Sequence, residues 1–365
     1  MALTVHIIVA ARPNFMKAAP LYRELSRHDW CQPVLVHTGQ HYDADMSDVF
    51  FRNLGMPKPT HHLDIGSGSH AEQTAGVMVA YEKLCLRARP DWTVVVGDVN
   101  STLAATLAAK KLLIPVAHVE AGLRSGDQTM PEEINRIVTD AIADVLWTPS
   151  PDGDANLLRE GIAPEKIERV GNIMIDAFEM QRAQIEAAGM PATMGLKAGG
   201  YAVVTIHRPA NVDTREALAA AVEALLAVAR RLPVVFPVHP RTRKQLEAFG
   251  LFERLKGGKG VSLATPMGYV DFMSLVRTAA CVATDSGGVQ EETTYLGIPC
   301  LTLRDTTERP VTVSQGTNRL VTAADLAASV DRVLAGAWPK GQAIEFWDGR
   351  TAPRIAASLA RFAKA

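Results

Sequence analysis

The sequence predicts an α/β protein of two Rossmann-like, parallel-sheet domains facing a cleft, and three observations carry that reading. Short apolar runs alternate with amphipathic stretches along the whole chain. The alternation breaks at residues 180–200, where Gly189, Gly195 and Gly199-Gly200 interrupt it, and then restarts. Polar and charged side chains gather directly after the apolar runs, where open α/β sheets place their ligands. Strands alternating with helices imply parallel sheets covered on both faces.

In the first half the expected strands are residues 4–10, 33–37, 92–97, 115–119, 145–148 and 168–170. The first ends in Ala10-Ala11-Arg12-Pro13-Asn14, with Arg12 in the turn and Lys17 on the following helix. The second ends in Thr38-Gly39-Gln40-His41-Tyr42-Asp43, a polar turn. The third ends in Gly97-Asp98-Val99-Asn100, where Asp98 is placed to cap the next helix or to act as an acid or base. The fourth ends in His118-Val119-Glu120-Ala121-Gly122, and Glu120 has nothing obvious to cap. A helix then opens at Pro131, which suits a first turn, with Glu132-Glu133 at its positive end. Ile134, Ile137, Val138, Ala141 and Ile142 form its apolar stripe and continue into Val145 and Leu146, while Glu132 and Arg136 lie on its polar face. Any one of these acids alone is more often structural than catalytic. Three at neighbouring strand ends favour a proton-transfer site, because carboxylates crowded in a partly dry cleft hold protons more tightly.

The second half restarts at residues 201–206 and continues through 234–238, 261–263, 281–284 and 300–303. Its first strand leads into His207-Arg208 and its second into His239-Pro240-Arg241. The strand 281–284 leads into Asp285-Ser286-Gly287-Gly288-Val289-Gln290-Glu291-Glu292. A Ser-Gly-Gly turn between strand and helix lets a ligand approach the backbone closely. It also aims free N–H groups and a positive helix end at an anion. A carboxylate further along that helix is placed for the hydroxyls of a ribose. The pattern points to a nucleotide diphosphate lying across a strand's carboxyl end. His207 and His239 are placed to offset charge on a leaving diphosphate, and Arg309 adds a cation after residues 300–303.

Composition narrows the class. A chain of 365 residues, 47 % hydrophobic and 21 % charged, has room for two domains with a sizeable core. A net charge of -1 gives no electrostatic case for nucleic acid or an acidic membrane surface. No apolar stretch reaches the roughly 18 residues a bilayer requires, and residues 3–10 open the chain without a signal-peptide pattern. Cys31, Cys85, Cys281 and Cys300 are far apart, which fits buried free thiols in a reducing cytosol. Gly66-Ser67-Gly68 lacks a third glycine and a strong preceding strand, so it is not read as a dinucleotide fingerprint. Asp43-Ala44-Asp45 has no further ligands and His61-His62 is expected on the surface, so neither a metal nor another cofactor is expected.

Taken in order, these strand ends resemble the non-hydrolysing UDP-N-acetylglucosamine 2-epimerases. The matching pieces run from Arg12-Pro13 through Thr38-Gly39-Gln40-His41-Tyr42, Gly97-Asp98, His118-Val119-Glu120-Ala121-Gly122-Leu123-Arg124 and Pro131-Glu132-Glu133. They continue through His207-Arg208, His239-Pro240-Arg241 and Asp285-Ser286-Gly287-Gly288 to Arg309-Pro310. The resemblance implies the glycosyltransferase-B architecture. It makes residues 1–175 a first domain carrying the carboxylates, with a C-terminal helix at about 350–365 crossing back to it. Residues 195–345 become the UDP-binding domain.

The implied reaction is inversion at C2 of a UDP-activated 2-acetamido sugar. UDP is eliminated across C1–C2 to give a 2-acetamidoglucal and then adds back. The resemblance assigns acid/base roles to Asp98, Glu120 and Glu132 and puts His207 near the glycosidic oxygen. It assigns diphosphate contacts to Arg12, His239, Ser286, Gly287 and Gly288, the ribose to Glu292 and the uracil to the stretch holding Phe272. Lys17, Gln40, Arg136 and Arg309 become further substrate contacts. The family is commonly dimeric; the expected location is cytoplasmic, and no cofactor is expected.

The chain departs from the family pattern at Asn14 and Ala210, where many members have Glu, and at Glu72, an acid before Gln73-Thr74 where an activator-binding member has a base. Another UDP-2-acetamido sugar, such as a 2,3-diacetamido uronic acid, is the alternative substrate. A hydrolysing epimerase and a glycosyltransferase of the same architecture are the competing reactions. A transferase needs one base and an acceptor groove, so three carboxylates speak against it.

Overall fold

The computed structural model describes residues 2–39, 51 and 54–362. The chain divides into two compact units, one of residues 1–180 with 345–365 and one of residues 181–344. The division falls inside the helix Ile173–Ala187.

The first unit carries β1 (Leu3–Val9), β2 (Cys31–His37), β3 (His61–His62), β4 (Trp92–Val96), β5 (Val116–Val119), β6 (Val145–Thr148) and β7 (Ile167–Arg169). Among the described residues they form one parallel sheet in the order β3-β2-β1-β4-β5-β6-β7. Order reverses between β1 and β4, the kind of switch point at which open α/β sheets bind ligands. Helices cover both faces, so central strands read as unbroken apolar runs. His6 is the exception on β1. It is buried against Tyr81, with Nδ1 3.2 Å from the hydroxyl, and burial together with His61 pushes its pKa down to about 4. It is a neutral core histidine.

The helix Pro131–Ile142 turns its polar face, rather than its apolar stripe, inward. Its buried residues are Glu133, Asn135, Arg136, Thr139 and Asp140, while Ile134 is half exposed. The polar face is turned inward because it finds paired charges and backbone amides there, and this outweighs burial of the apolar edge. A correction concerns His61-His62. The pair is half-buried as β3, an edge strand in register with Val36 and His37.

The helix Thr351–Phe362 packs on the first unit. Asp176 accepts the Thr351 and Ala352 amides at 3.0 and 2.8 Å, and Trp147 donates to Ser358 at 2.8 Å. Ile355 and Leu359 are fully buried.

The second unit carries β8 (Ala202–Thr205), β9 (Val234–Pro237), β10 (Val261–Ala264), β11 (Cys281–Thr284), β12 (Cys300–Thr302) and β13 (Asn318–Leu320). Their order is β10-β9-β8-β11-β12-β13, again parallel. Val204, Phe236, Leu225 and Leu246 anchor its core. The four cysteines are buried and unpaired. No helix of the described residues is long and apolar enough to cross a membrane.

One glycine near the strand ends sets a stability test. Gly122 has φ +79°, and a Cβ there would lie 2.4 Å from the Gly153 carbonyl oxygen. Gly122→Ala is therefore expected to cost about 1–3 kcal/mol through backbone strain alone, with the clash added. Thermal unfolding reads this as a lowered Tm. An unchanged Tm would mean that the turn relaxes freely.

Candidate active site

In the first unit the inward face of Pro131–Ile142 organises the strand ends. Glu133 accepts the Ser125 and Gly126 amides at 3.0 and 2.8 Å and pairs with Arg136 at 2.6 Å. Arg136, 2 % exposed, also pairs with Asp98 at 2.6 Å. Asn135 donates to the Asp98 carbonyl at 2.9 Å. Asp98 therefore does not cap the next helix: the N-cap of Asn100–Lys111 is Val99, without a side-chain bond. Its carboxylate is held by Arg136 and stays about one-third exposed.

Glu120 is 4 % exposed and left-handed, at φ +72°. Such a backbone is uncommon for a non-glycine residue and is found where surrounding structure over-determines it. Its Oε2 pairs with Lys17 Nζ. Both groups crowd Gly97, where a Cβ would sit 3.4 Å from Glu120 Oε2 and 3.5 Å from Lys17 Nζ. Asp98 and Glu120 thus belong to adjoining turns, each beside a cation. Glu132 lines a neighbouring cavity of about 430 Å³ with Asn100, Ser101, Asn135 and Thr38. Arg12, at the exposed start of Arg12–Leu25, follows Ala10 and Ala11 of the same lining. Asn14 is buried and donates to the Val96 carbonyl at 3.0 Å, which ties the first turn to the end of β4. Gln40 lies outside the described residues.

Beneath these turns lies a pair that sequence reasoning passed over. His118 and Asp140 are buried and 2.6 Å apart. His118 Nε2 donates to the Gly97 carbonyl at 2.8 Å, and Asp140 accepts Gly122 N and Arg124. Burial opposes the charge on Asp140, but His118 and Arg124 outweigh it and hold its carboxyl below the usual range. The available signal was a charged residue on the polar face of a helix, which ordinarily means solvent.

The second unit builds an anion seat. Ser286 is the N-cap of Gly287–Leu296 but makes no side-chain cap bond, so the helix amides are open to an acceptor. Among the described residues nothing lies within 4 Å of a Cβ built on Gly288. Under Gly287 lies a packed charge network, because a Cβ there would be 2.6 Å from Arg309 Nη1 and 2.7 Å from Glu308 Oε1. Arg309 is buried and pairs with Glu308 at 2.6 Å and Glu291 at 2.9 Å. His207 and His239 follow β8 and β9, with ring centroids 5.1 Å apart. Phe272 is half-buried on Tyr269–Val276.

Glu292 is 4 % exposed. Burial pushes its carboxyl up to about 8; the Glu291 charge adds to the shift and the Tyr269 hydroxyl beside it opposes it. An unfolded chain gives up this proton near pH 4.3. Between about pH 4.3 and about 8 the folded unit holds the extra proton, so this group's stabilising contribution falls as pH rises and levels off above the upper value. The urea midpoint should therefore decline more between pH 5 and 8 in the wild type than in Glu292→Gln. Parallel declines would assign the slope to another group.

A family model described as UDP-N-acetylglucosamine 2-epimerase matches residues 23–360. The chain belongs to that family. The UDP-N-acetylglucosamine 2-epimerase of Methanocaldococcus jannaschii is 43 % identical over 327 residues, which cover 87 % of this chain and 88 % of that one. The UDP-2,3-diacetamido-2,3-dideoxy-D-glucuronate 2-epimerase of Pseudomonas aeruginosa is 40 % identical over 361 residues, 97 % and 98 % of the two chains. A crystal structure of the M. jannaschii UDP-GlcNAc 2-epimerase in complex with UDP-GlcNAc and UDP matches with TM-score 0.88 and 40 % identity, covering 98 % of this chain and 100 % of that one. Among the described residues no group of three or more His, Cys, Asp or Glu is arranged to hold a metal.

Proposed function

We propose that this family member interconverts UDP-N-acetylglucosamine and UDP-N-acetylmannosamine by eliminating UDP and adding it back. The observation that carries the reading is the pairing of Asp98 with Arg136 and of Glu120 with Lys17 at adjoining turns. Each is a carboxylate able to exchange a proton, and the cation beside it fixes its position. Glu132, at the first turn of its helix, is the third group able to move one. The C2 hydrogen has no adjacent carbonyl to absorb charge, so departure of UDP from C1 must take the electron pair. In the second unit the open amides behind Ser286, Gly287 and Gly288, with His207, His239 and Arg309, supply stabilisation for that leaving group, and in the first unit Arg12 and Lys17 are the cations suited to a diphosphate. Ribose hydroxyls fit the Glu292 carboxyl and the Tyr269 hydroxyl, which lie beside each other. Phe272 suits the uracil.

Proton NMR of the protein with UDP-N-acetylglucosamine in D2O tests the reading. Deuterium at C2 with UDP-N-acetylmannosamine appearing supports it, and accumulation of UDP with free sugar replaces it by hydrolysis. The P. aeruginosa relative, similar over 97 % of this chain, motivates a second substrate. A UDP-2,3-diacetamido uronic acid turned over while UDP-N-acetylglucosamine is inert would transfer the assignment to it.

We further infer a cytosolic homodimer. Buried unpaired thiols fit a reducing compartment. Ile134 on Pro131–Ile142 is an exposed large apolar residue that offers surface for a second copy. Light scattering on wild type and Ile134→Asp is the check, with a monomeric variant expected.

A further inference from the structure

The turn after β8 is held by one buried carboxylate. Asp285, fully buried at the end of β11, accepts the His207 amide at 3.0 Å, the Arg208 amide at 2.8 Å and Asn211 Nδ2 at 3.0 Å. Its Oδ1 also faces His207 Nδ1 at 3.4 Å. An ionised carboxylate only accepts, so the ring nitrogen turned toward it must carry hydrogen.

His239 is set the other way. Its Nδ1 accepts the Arg241 amide at 3.2 Å and caps the helix Pro240–Ala248, so its hydrogen sits on Nε2. Burial and the neighbouring His207 lower its proton affinity, and the helix N-terminus acts in the same direction. With ring centroids 5.1 Å apart, two imidazolium ions would repel. The other charged groups nearby divide between Arg208, with Glu308 beside it, and Arg241, which pairs with Asp213.

We propose that Asp285 is a positioning residue that fixes His207 with Nδ1–H toward itself and gives it the single positive charge of the histidine pair, leaving His239 a neutral Nε2–H donor. The proposal rests on the epimerase reading for its chemical consequence. In the elimination the C2 proton passes to a carboxylate base and the C1–O electron pair leaves with UDP. His207 Nε2–H donates to that departing oxygen, transferring its proton if the oxygen takes it, and re-addition reverses each movement. His207 touches the ligand in this scheme and Asp285 acts only through it.

Nitrogen-15 NMR of histidine-labelled protein tests this directly, with the two signals assigned by His207→Gln and His239→Gln. The expected pattern is a protonated Nδ1 on His207 and a bare Nδ1 on His239, with and without UDP. A bare Nδ1 on His207 overturns the proposal, and this measurement needs no Asp285 variant to fold. In Asp285→Asn the amide donates to the ring, so His207 should switch to the Nε2–H tautomer. Turnover at saturating substrate should then fall about 100-fold or more, by analogy with Asp-to-Asn changes beside catalytic histidines. KM and UDP affinity should stay within a few-fold. An equal loss in UDP affinity would make Asp285 purely structural. A protein that shows the expected tautomers but no epimerisation supports the placement of the proton while overturning the epimerase reading.

Discussion

Asp98→Asn is expected to lower C2 hydrogen exchange by about 10²–10⁴-fold, the usual worth of a positioned acid or base, while UDP affinity stays within a few-fold. The fold should tolerate the change. Arg136 is buried, and losing a lone partner would leave an uncompensated charge inside the unit. It has a second partner, because Glu133 meets it at 2.6 Å and is itself fixed by the Ser125 and Gly126 amides. Asparagine keeps an oxygen that can accept from Arg136 Nη1. What disappears is the capacity to take a proton. Unchanged exchange would remove Asp98 from the reaction. Intact exchange chemistry with lost UDP binding would make it a structural partner of Arg136.

Most strands were legible, because a strand covered on both faces needs an apolar run, and the runs ending near His37, Val96, Val119, Thr148 and Thr284 satisfy that need. The strands that escaped were β3 and β13. His61–His62 and Asn318–Leu320 are short edge segments whose pairing rests on backbone bonds more than on apolar side chains. The helix Pro131–Ile142 was legible as a helix but not in its orientation. Periodicity tells which residues share a face, and assigning the apolar face to the interior assumes an apolar interior. Here the interior is a set of ion pairs. The same assumption hid Asp140, whose partners His118 and Arg124 belong to the turns packed against the helix. Residues at strand ends were easier to place, since strand ends are fixed by the fold class. Residues that hold those residues in place leave no pattern in one sequence.

Glu308→Ala should be the most damaging single change in the second unit. The carboxylate is 3 % exposed and meets Arg309 at 2.6 Å, Arg304 at 2.8 Å and Arg208 at 3.5 Å. Glu291 still meets Arg309 and Asp285 still acts on Arg208, but removing Glu308 takes away the one acid that meets all three guanidiniums among the described residues. Breaking a buried pair in this way costs about 3–5 kcal/mol, a large part of the margin of an ordinary domain. Burial opposes the charge on Glu308, yet Arg309, Arg304 and Arg208 overcome it and hold its carboxyl far below the ordinary range. The stability tied to that depressed value is present above the ordinary carboxylate pKa and is lost as pH falls toward the folded one. Glu308→Gln, which keeps the shape and removes the charge, should therefore differ most from wild type near pH 6, and the gap should narrow steadily as pH falls below about 4. Urea unfolding of both proteins across that range is the measurement. A difference that stays constant with pH would mean that Glu308 acts by packing alone and that the arginines under Gly287 keep their places without its charge.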